Sequence, residues 1–214
     1  MPKSVEDFIR VPLDERLERT DGLFVKVAYH NDRPYLVART KEDIAPEDFG
    51  DLPCERPLVM FESAQEGVEK CVWFYTKNIL PLIAEDNIDI ALLSAARFEA
   101  DALVCDMASL QNLVAAADKH PIVRTFKKIT VIDSSFVGTL QLLQREFPHA
   151  ERQLILALPE TGSLGRAEEV DGVLVYRPGP HTTVHGGGQG ELVVTQRLPL
   201  PTPIREYKTG IHLS

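Results

Sequence analysis

Few stretches of this chain combine residue types that could do chemistry. Glu62-Ser63-Ala64-Gln65-Glu66-Gly67-Val68-Glu69-Lys70 sets a serine, a glycine and a lysine among acids. Backbone N–H groups reach an anion only where side chains are small, and a lysine adds positive charge. Ser63, Gly67 and Lys70 are the small and basic residues of this stretch. Glu62 and Glu66 oppose that use, because like charges about 4 Å apart cost roughly 1–4 kcal/mol each. The plain alternative is a solvated acidic loop between two strands. Ser134 and Ser135, in Asp133-Ser134-Ser135-Phe136, fall between an apolar run and a helical pattern, where serine ordinarily caps the helix. Glu160-Thr161-Gly162 puts one carboxylate just after another apolar run, and a strand-end carboxylate is ordinarily hydrogen-bonded to nearby loop amides. His181 and His185 flank a glycine-rich turn. Histidines four apart make a metal pair on a helix, and this stretch is not helical. No GxSxG, HExxH or phosphate-loop pattern is present.

An alternation of short apolar runs and amphipathic stretches surrounds these residues. Leu58-Val59-Met60-Phe61, Val72-Trp73-Phe74-Tyr75, Ile88-Asp89-Ile90-Ala91-Leu92-Leu93 and Ala102-Leu103-Val104-Cys105 read as strands, as do residues 129–132 and 153–158. Residues 78–86 carry a helical stripe, residues 107–119 an alanine-rich helix with Pro121 beyond it, and residues 139–147 a helix stopped by Pro148. Strand–helix alternation predicts an α/β fold with a mainly parallel sheet and packed helices. Residues 1–20 read as a short helix or charged arm. Two β-rich runs around His30-Asn31-Asp32-Arg33 predict an N-terminal hairpin, and residues 41–56 an acidic loop. From Gly172 the texture turns glycine-rich and strand-like, predicting a small antiparallel C-terminal portion. The expected divisions are 1–55, 56–170 and 171–214, within one compact unit.

With 214 residues the chain can bury a real core. A net charge of −9 argues against nonspecific nucleic-acid binding, which needs a basic surface to displace counterions, and against docking on anionic membranes. No apolar run approaches the roughly 18–20 residues that span a bilayer, and Met1-Pro2-Lys3-Ser4-Val5-Glu6-Asp7 has no apolar signal core. Cys54, Cys71 and Cys105 form no CxxC pair, which suits reduced thiols in a cytoplasmic protein rather than a disulfide or a metal site.

The most specific text lies near the end. Gly190-Glu191-Leu192-Val193-Val194-Thr195 precedes Leu198-Pro199-Leu200-Pro201-Thr202-Pro203, and Ile204-Arg205-Glu206-Tyr207-Lys208-Thr209-Gly210-Ile211 follows. Each proline pushes its predecessor out of the helical region. The whole reads as a strand, an extended link and a second strand-like run ending in a glycine turn. It resembles the late part of the large domain of the adenylate-forming (ANL) superfamily, above all its phenylacetate-CoA ligase branch, where "GELVVT" is followed by "TPLIRYRTGD". The resemblance extends back to about Arg56. It implies that Ser63, Gly67 and Lys70 stand in the family's phosphate loop, "SSGTTGKPK", and that Ser134 and Ser135 replace the glycine pair lining the adenine pocket. Arg145-Glu146-Phe147-Pro148-His149-Ala150 matches the stretch after that pair. Of the family's "YGxTExG", Glu160 and Gly162 survive with Thr161 between them, while Leu156, Ala157 and Pro159 replace the tyrosine, glycine and threonine. The family's glutamate helps to hold Mg²⁺. Tyr207 keeps the frame of the last motif, but Ile211 stands where the family's aspartate binds the ribose hydroxyls. Isoleucine has no acceptor, so two charge-assisted hydrogen bonds of about 1.5–3 kcal/mol each are lost.

The resemblance thus implies a catalytically degenerate relative with a spared apolar core and altered nucleotide-gripping residues. The expected function is non-catalytic binding of a small acyl or aromatic ligand, or of a protein partner, with no catalytic residue, no metal and no cofactor. ATP with Mg²⁺ (through Glu160) or CoA is the alternative set of cofactors. Two other functions are a subunit of a split carboxylate–CoA or adenylating ligase, whose catalytic lysine lies on another chain, and a scaffold paired with an active homologue. A homo- or hetero-oligomer is expected, since a truncated domain exposes apolar surface.

Overall fold

The computed structural model describes residues 1–44, 54–84, 87–135, 138–170, 173–186, 190–198 and 200–212. In chain order the first elements are α1 (Val5–Arg10), α2 (Leu13–Arg16), β1 (Phe24–His30), β2 (Arg33–Arg39) and α3 (Lys41–Ile44). Next come β3 (Pro57–Met60), α4 (Ala64–Thr76), β4 (Leu82–Ile83), α5 (Ile88–Phe98), β5 (Ala102–Cys105) and α6 (Met107–Ala116). A 3-10 turn at Pro121–Thr125 precedes β6 (Lys128–Asp133), α7 (Thr139–Glu146) and β7 (Glu151–Leu158). The chain ends with β8 (Gly162–Val170), β9 (Val173–Pro178), β10 (Thr182–Gly186), β11 (Glu191–Gln196) and β12 (Tyr207–His212). These elements form two units, one of residues 49–156 and one of residues 1–48 with 157–214.

The first of these units is an α/β layer. Its strands run in the order β4-β3-β5-β6-β7, all parallel. Leu58, Val59, Leu103, Val104, Ile129 and Val131 are almost fully buried. The strands are continuous apolar runs because a parallel sheet is covered on both faces. From β3 the chain moves outward to β4, then crosses back to β5 on the other side of β3. That reversal puts a topological switch point between the carboxyl ends of β3 and β5.

Two helices replace expected non-helical segments. Residues 64–76 form α4 rather than a loop and a strand. Ser63 caps it by accepting from the Glu66 N–H, as in a Ser-x-x-Glu start. The buried Gly67, Lys70, Cys71, Trp73 and Phe74 recur at helical spacing, and this outweighs the β-rich quartet Val72 to Tyr75. Ile88 and Ile90 likewise suggested a strand, but α5 covers them. Asn87 caps it through the Ile90 N–H, and Ala91, Leu92 and Ala95 form the buried face. The stripe at 78–86 is not a helix: Leu82 and Ile83 pair with Leu58 and Val59, and Pro81 has no N–H to give a helix interior. Residues 85–86 lie outside the described residues.

The other unit is β-rich. β1 and β2 pair antiparallel from Phe24↔Arg39 to His30↔Arg33. Asn31 and Asp32 close the hairpin with φ of 48° and 60°, the left-handed pair that matches strand twist in a two-residue turn. β8 and β9 are antiparallel, and β10-β11-β12 form a three-stranded antiparallel sheet. β12 continues through Gly210, which has φ of 73°, beside a register shift opposite Glu191 and Val193. The expected glycine turn is therefore an irregularity inside a strand. The N-terminal arm joins this sheet: the Lys208 N–H donates to the Lys3 carbonyl at 2.8 Å and the Glu18 N–H to the Pro201 carbonyl at 2.9 Å. The chain thus has the expected α/β class, with its hairpin and its antiparallel C-terminal portion. Of the acidic segment 41–56, Lys41–Ile44 is helical and residues 45–53 lie outside the described residues, as do 187–189 of the glycine-rich turn. Among the described residues no helix is long and apolar enough to cross a membrane.

Candidate functional site

Glu160 lies in the turn before β8 and is 4% exposed. Its partners are side chains rather than the expected loop amides. Tyr207, the first residue of β12, donates its hydroxyl to Oε1 at 2.5 Å. Tyr35, on β2, donates to Oε2 at 2.8 Å. Both rings are buried. Phe8 of α1 packs edge-on against each, with centroids 6.2 Å from Tyr35 and 6.0 Å from Tyr207. Burial first, and then the Glu160 charge and hydrogen bond, push the Tyr207 hydroxyl well above the ordinary phenol range. It stays protonated and acts as a donor. Two phenols from distant parts of the chain thus grip one carboxylate, one on each oxygen, inside an aromatic cluster. Thr161 beside it is fully buried and its carbonyl accepts from Gln196 Nε2 at 3.3 Å. Of the residues singled out from sequence, Glu160 and Tyr207 are brought into contact. Tyr35 and Phe8 carried no sequence signal, since nothing local marks a strand tyrosine as the partner of a residue so far along the chain.

The α/β unit holds Ser63, Gly67, Lys70, Ser134 and Ser135. Ser63 is the N-cap of α4. The Gly67 N–H donates to the Ser63 carbonyl within the first helical turn, and Lys70 is 5% exposed on the same helix. Ser134 and Ser135 do not cap α7, whose N-cap is Gly138. Their N–H groups donate instead to Asp133 Oδ1, at 2.6 and 3.4 Å.

Sequence reasoning passed over Asp106 and Asp133, which organise the carboxyl edge of the sheet. Asp106 follows β5 and caps α6, accepting from the Ser109 N–H at 2.7 Å. Its other oxygen accepts from the Glu62 N–H at 2.8 Å, across the switch point from β3. Asp133 ends β6 and accepts from the Met107 N–H at 3.0 Å. Each carboxylate therefore ties the exit of its own strand to that of its neighbour. The signal available was the strand–Asp–helix order of Cys105-Asp106-Met107, which marks an N-cap.

Among the described residues no three His, Cys, Asp or Glu side chains could hold a metal ion together. His185 Nε2 lies 2.8 Å from Thr195 Oγ1. Cys54, Cys71 and Cys105 are buried free thiols. Burial pushes Cys71 up to about 12 and Cys54 up to about 11.

No family model matches the sequence, and no curated protein does. Solved structures do. The amide bond synthetase McbA from Marinactinospora thermotolerans matches with a TM-score of 0.63 and 15% identity, over 88% of this chain and 43% of its own. An acyl-CoA synthetase (AMP-forming)/AMP-acid ligase II-like protein from Dyadobacter fermentans gives 0.61 and 14%, over 83% and 53%. The O-succinylbenzoate coenzyme A synthetase MenE from Bacillus subtilis, in complex with ATP and magnesium ion, gives 0.58 and 14%, over 86% and 42%. The chain spans about half the length of these structures or less. At these identities the likeness is one of fold alone, shared with the matched part of these synthetases.

Proposed function

We propose that this chain is a catalytically silent relative of the adenylate-forming enzymes, one that binds a small acyl or aromatic ligand, or a protein partner, without activating a carboxylate. The observation that carries this reading is the double grip on Glu160. A carboxylate that is 4% exposed, with a phenol on each oxygen, is spent on holding the β-rich unit together. A magnesium-holding acid needs an oxygen turned toward solvent and phosphate.

Two further features support it. Ser63 caps α4, the Gly67 N–H is taken by the Ser63 carbonyl, and Lys70 lies farther along the same helix, an arrangement that favours a structural role over an open anion-binding loop. At the β3/β5 switch point the Glu62 N–H already serves the Asp106 carboxylate, and Asp133 adds a second negative charge at the next strand end. These residues do not suit ATP with Mg²⁺. The test is ATP–pyrophosphate exchange by the purified full chain with a panel of aliphatic and aromatic acids. The expected result is no exchange above the protein-free rate with any acid. Exchange dependent on one acid, retained through repurification, overturns the proposal.

A further inference from the structure

The hairpin of β1 and β2 buries one face and leaves the other open. Its register sorts the residues, because side chains paired across antiparallel strands point to the same face. Lys26 with Val37 and Ala28 with Tyr35 make the buried face, from which Tyr35 reaches Glu160. The other face pairs Val25 with Ala38, Val27 with Leu36 and Tyr29 with Pro34. Ala38 is covered, but Val25 is 43% exposed, Val27 48%, Tyr29 70% and Leu36 42%, and Pro34 is exposed as well. None of these six side chains carries a charge.

An antiparallel strand with one wet face ordinarily alternates apolar and polar residues. β12 in the same unit does so, its exposed positions being Lys208, Gly210 and His212. The hairpin breaks that rule over its whole open face, the mark of a surface that is covered by another molecule. Charge and area say which. The chain carries a net charge of −9, so two copies repel each other across most approaches. About a two-fold axis the same patch meets itself, and any charge on it returns beside its like. An uncharged face is the kind that a body as acidic as this one can accept, and it offers nothing to a partner selected by opposite charge. Interfaces between identical copies are also more apolar than those of transient complexes, which resemble the rest of the surface. Strands of seven residues, at about 3.4 Å per residue and about 4.8 Å apart, give a footprint of roughly 24 by 10 Å. That is the apolar core of a standard interface of about 800 Å² per partner, the remainder being polar rim. Arg33, exposed beside the turn and 3.2 Å from Glu6, begins such a rim.

We propose that the open face of this hairpin is where two copies of the chain pair, hairpin stacked on hairpin about a two-fold axis. Sheets stacked in this way lie about 10 Å apart with their facing side chains interdigitated. The pairing uses the side of the hairpin turned away from Glu160. It holds or fails independently of whether the chain activates carboxylates.

The experiment is sedimentation velocity of the full chain from about 1 to 200 µM, with Val27→Lys, Val27→Glu and an equimolar mixture of the two run alongside. Wild type is expected to be a dimer at the upper end, half associated at or below about 20 µM. Each variant alone sets like charges on facing copies and is expected to associate at least about tenfold more weakly. The mixture sets lysine against glutamate and is expected to recover most of the lost association, which a dimer built on any other surface would not do. Circular dichroism confirms the fold of each variant. Tyr29→Ser, at the most open position, decides the matter should the Val27 variants not fold, and it too is expected to weaken the dimer. A wild type that stays monomeric throughout overturns the proposal and leaves the face to a different partner. So does a dimer that none of the substitutions weakens, or a mixture that associates no better than its components.

Discussion

Glu160 is held by phenols from opposite ends of the chain, Tyr35 near the start and Tyr207 near the finish. Either phenol's loss leaves a buried carboxylate oxygen short of its donor. Tyr207→Phe and Tyr35→Phe are each expected to lower stability by about 1–3 kcal/mol, read by urea unfolding. The double variant should lose less than the sum, because both act on one carboxylate. Additive losses would mean that the two bonds do not share an anchor. The sequence marked Glu160 and Tyr207 as worth attention but gave Glu160 the wrong neighbours. A long-range side-chain contact leaves no periodic trace, and Tyr35 reads in the sequence as one more strand aromatic.

Among the elements, α4 and α5 are the ones the sequence concealed. Val72-Trp73-Phe74-Tyr75 and Ile88-Asp89-Ile90 have strand composition, yet each lies in a capped helix with a buried stripe. The fully buried strands β3, β5 and β6 were legible because an apolar run bounded by polar turns admits few other readings. Caps offer the test at this scale. Ser63→Ala removes one acceptor and should cost about 1 kcal/mol. Asp106→Ala should cost more, since its carboxylate serves both the Ser109 and the Glu62 N–H groups. Equal losses in urea unfolding would mean that the tie across the switch point contributes nothing.

For the molecule as a whole, burial of its thiols and of Tyr207 sets the alkaline limit. Cys71 is raised to about 12, Cys54 to about 11, and Tyr207 is raised as well. The folded chain thus keeps protons that the unfolded chain releases. Stability from these groups is complete below about pH 8.5, the unfolded thiol value, and falls as pH rises through the folded values. The urea midpoint at pH 10.5 is expected to lie below that at pH 8, and an unchanged midpoint would contradict the burial of these groups. The same burial predicts that a thiol-reactive disulfide labels the native chain slowly at pH 8, at the rate of unfolding. Rapid labelling of any of the three cysteines would contradict it.

The proposed role of Glu160 is to serve the fold and not a bound nucleotide. Its most direct test is the thermal midpoint of wild type and Glu160→Gln, each with and without Mg²⁺ and ATP. A glutamine offers one acceptor where two phenols need two, so the variant is expected to melt several degrees lower without ligand, and Mg²⁺ with ATP should shift neither protein. A variant that melts with wild type but loses an ATP-dependent rise that wild type shows would return Glu160 to the nucleotide and contradict the account.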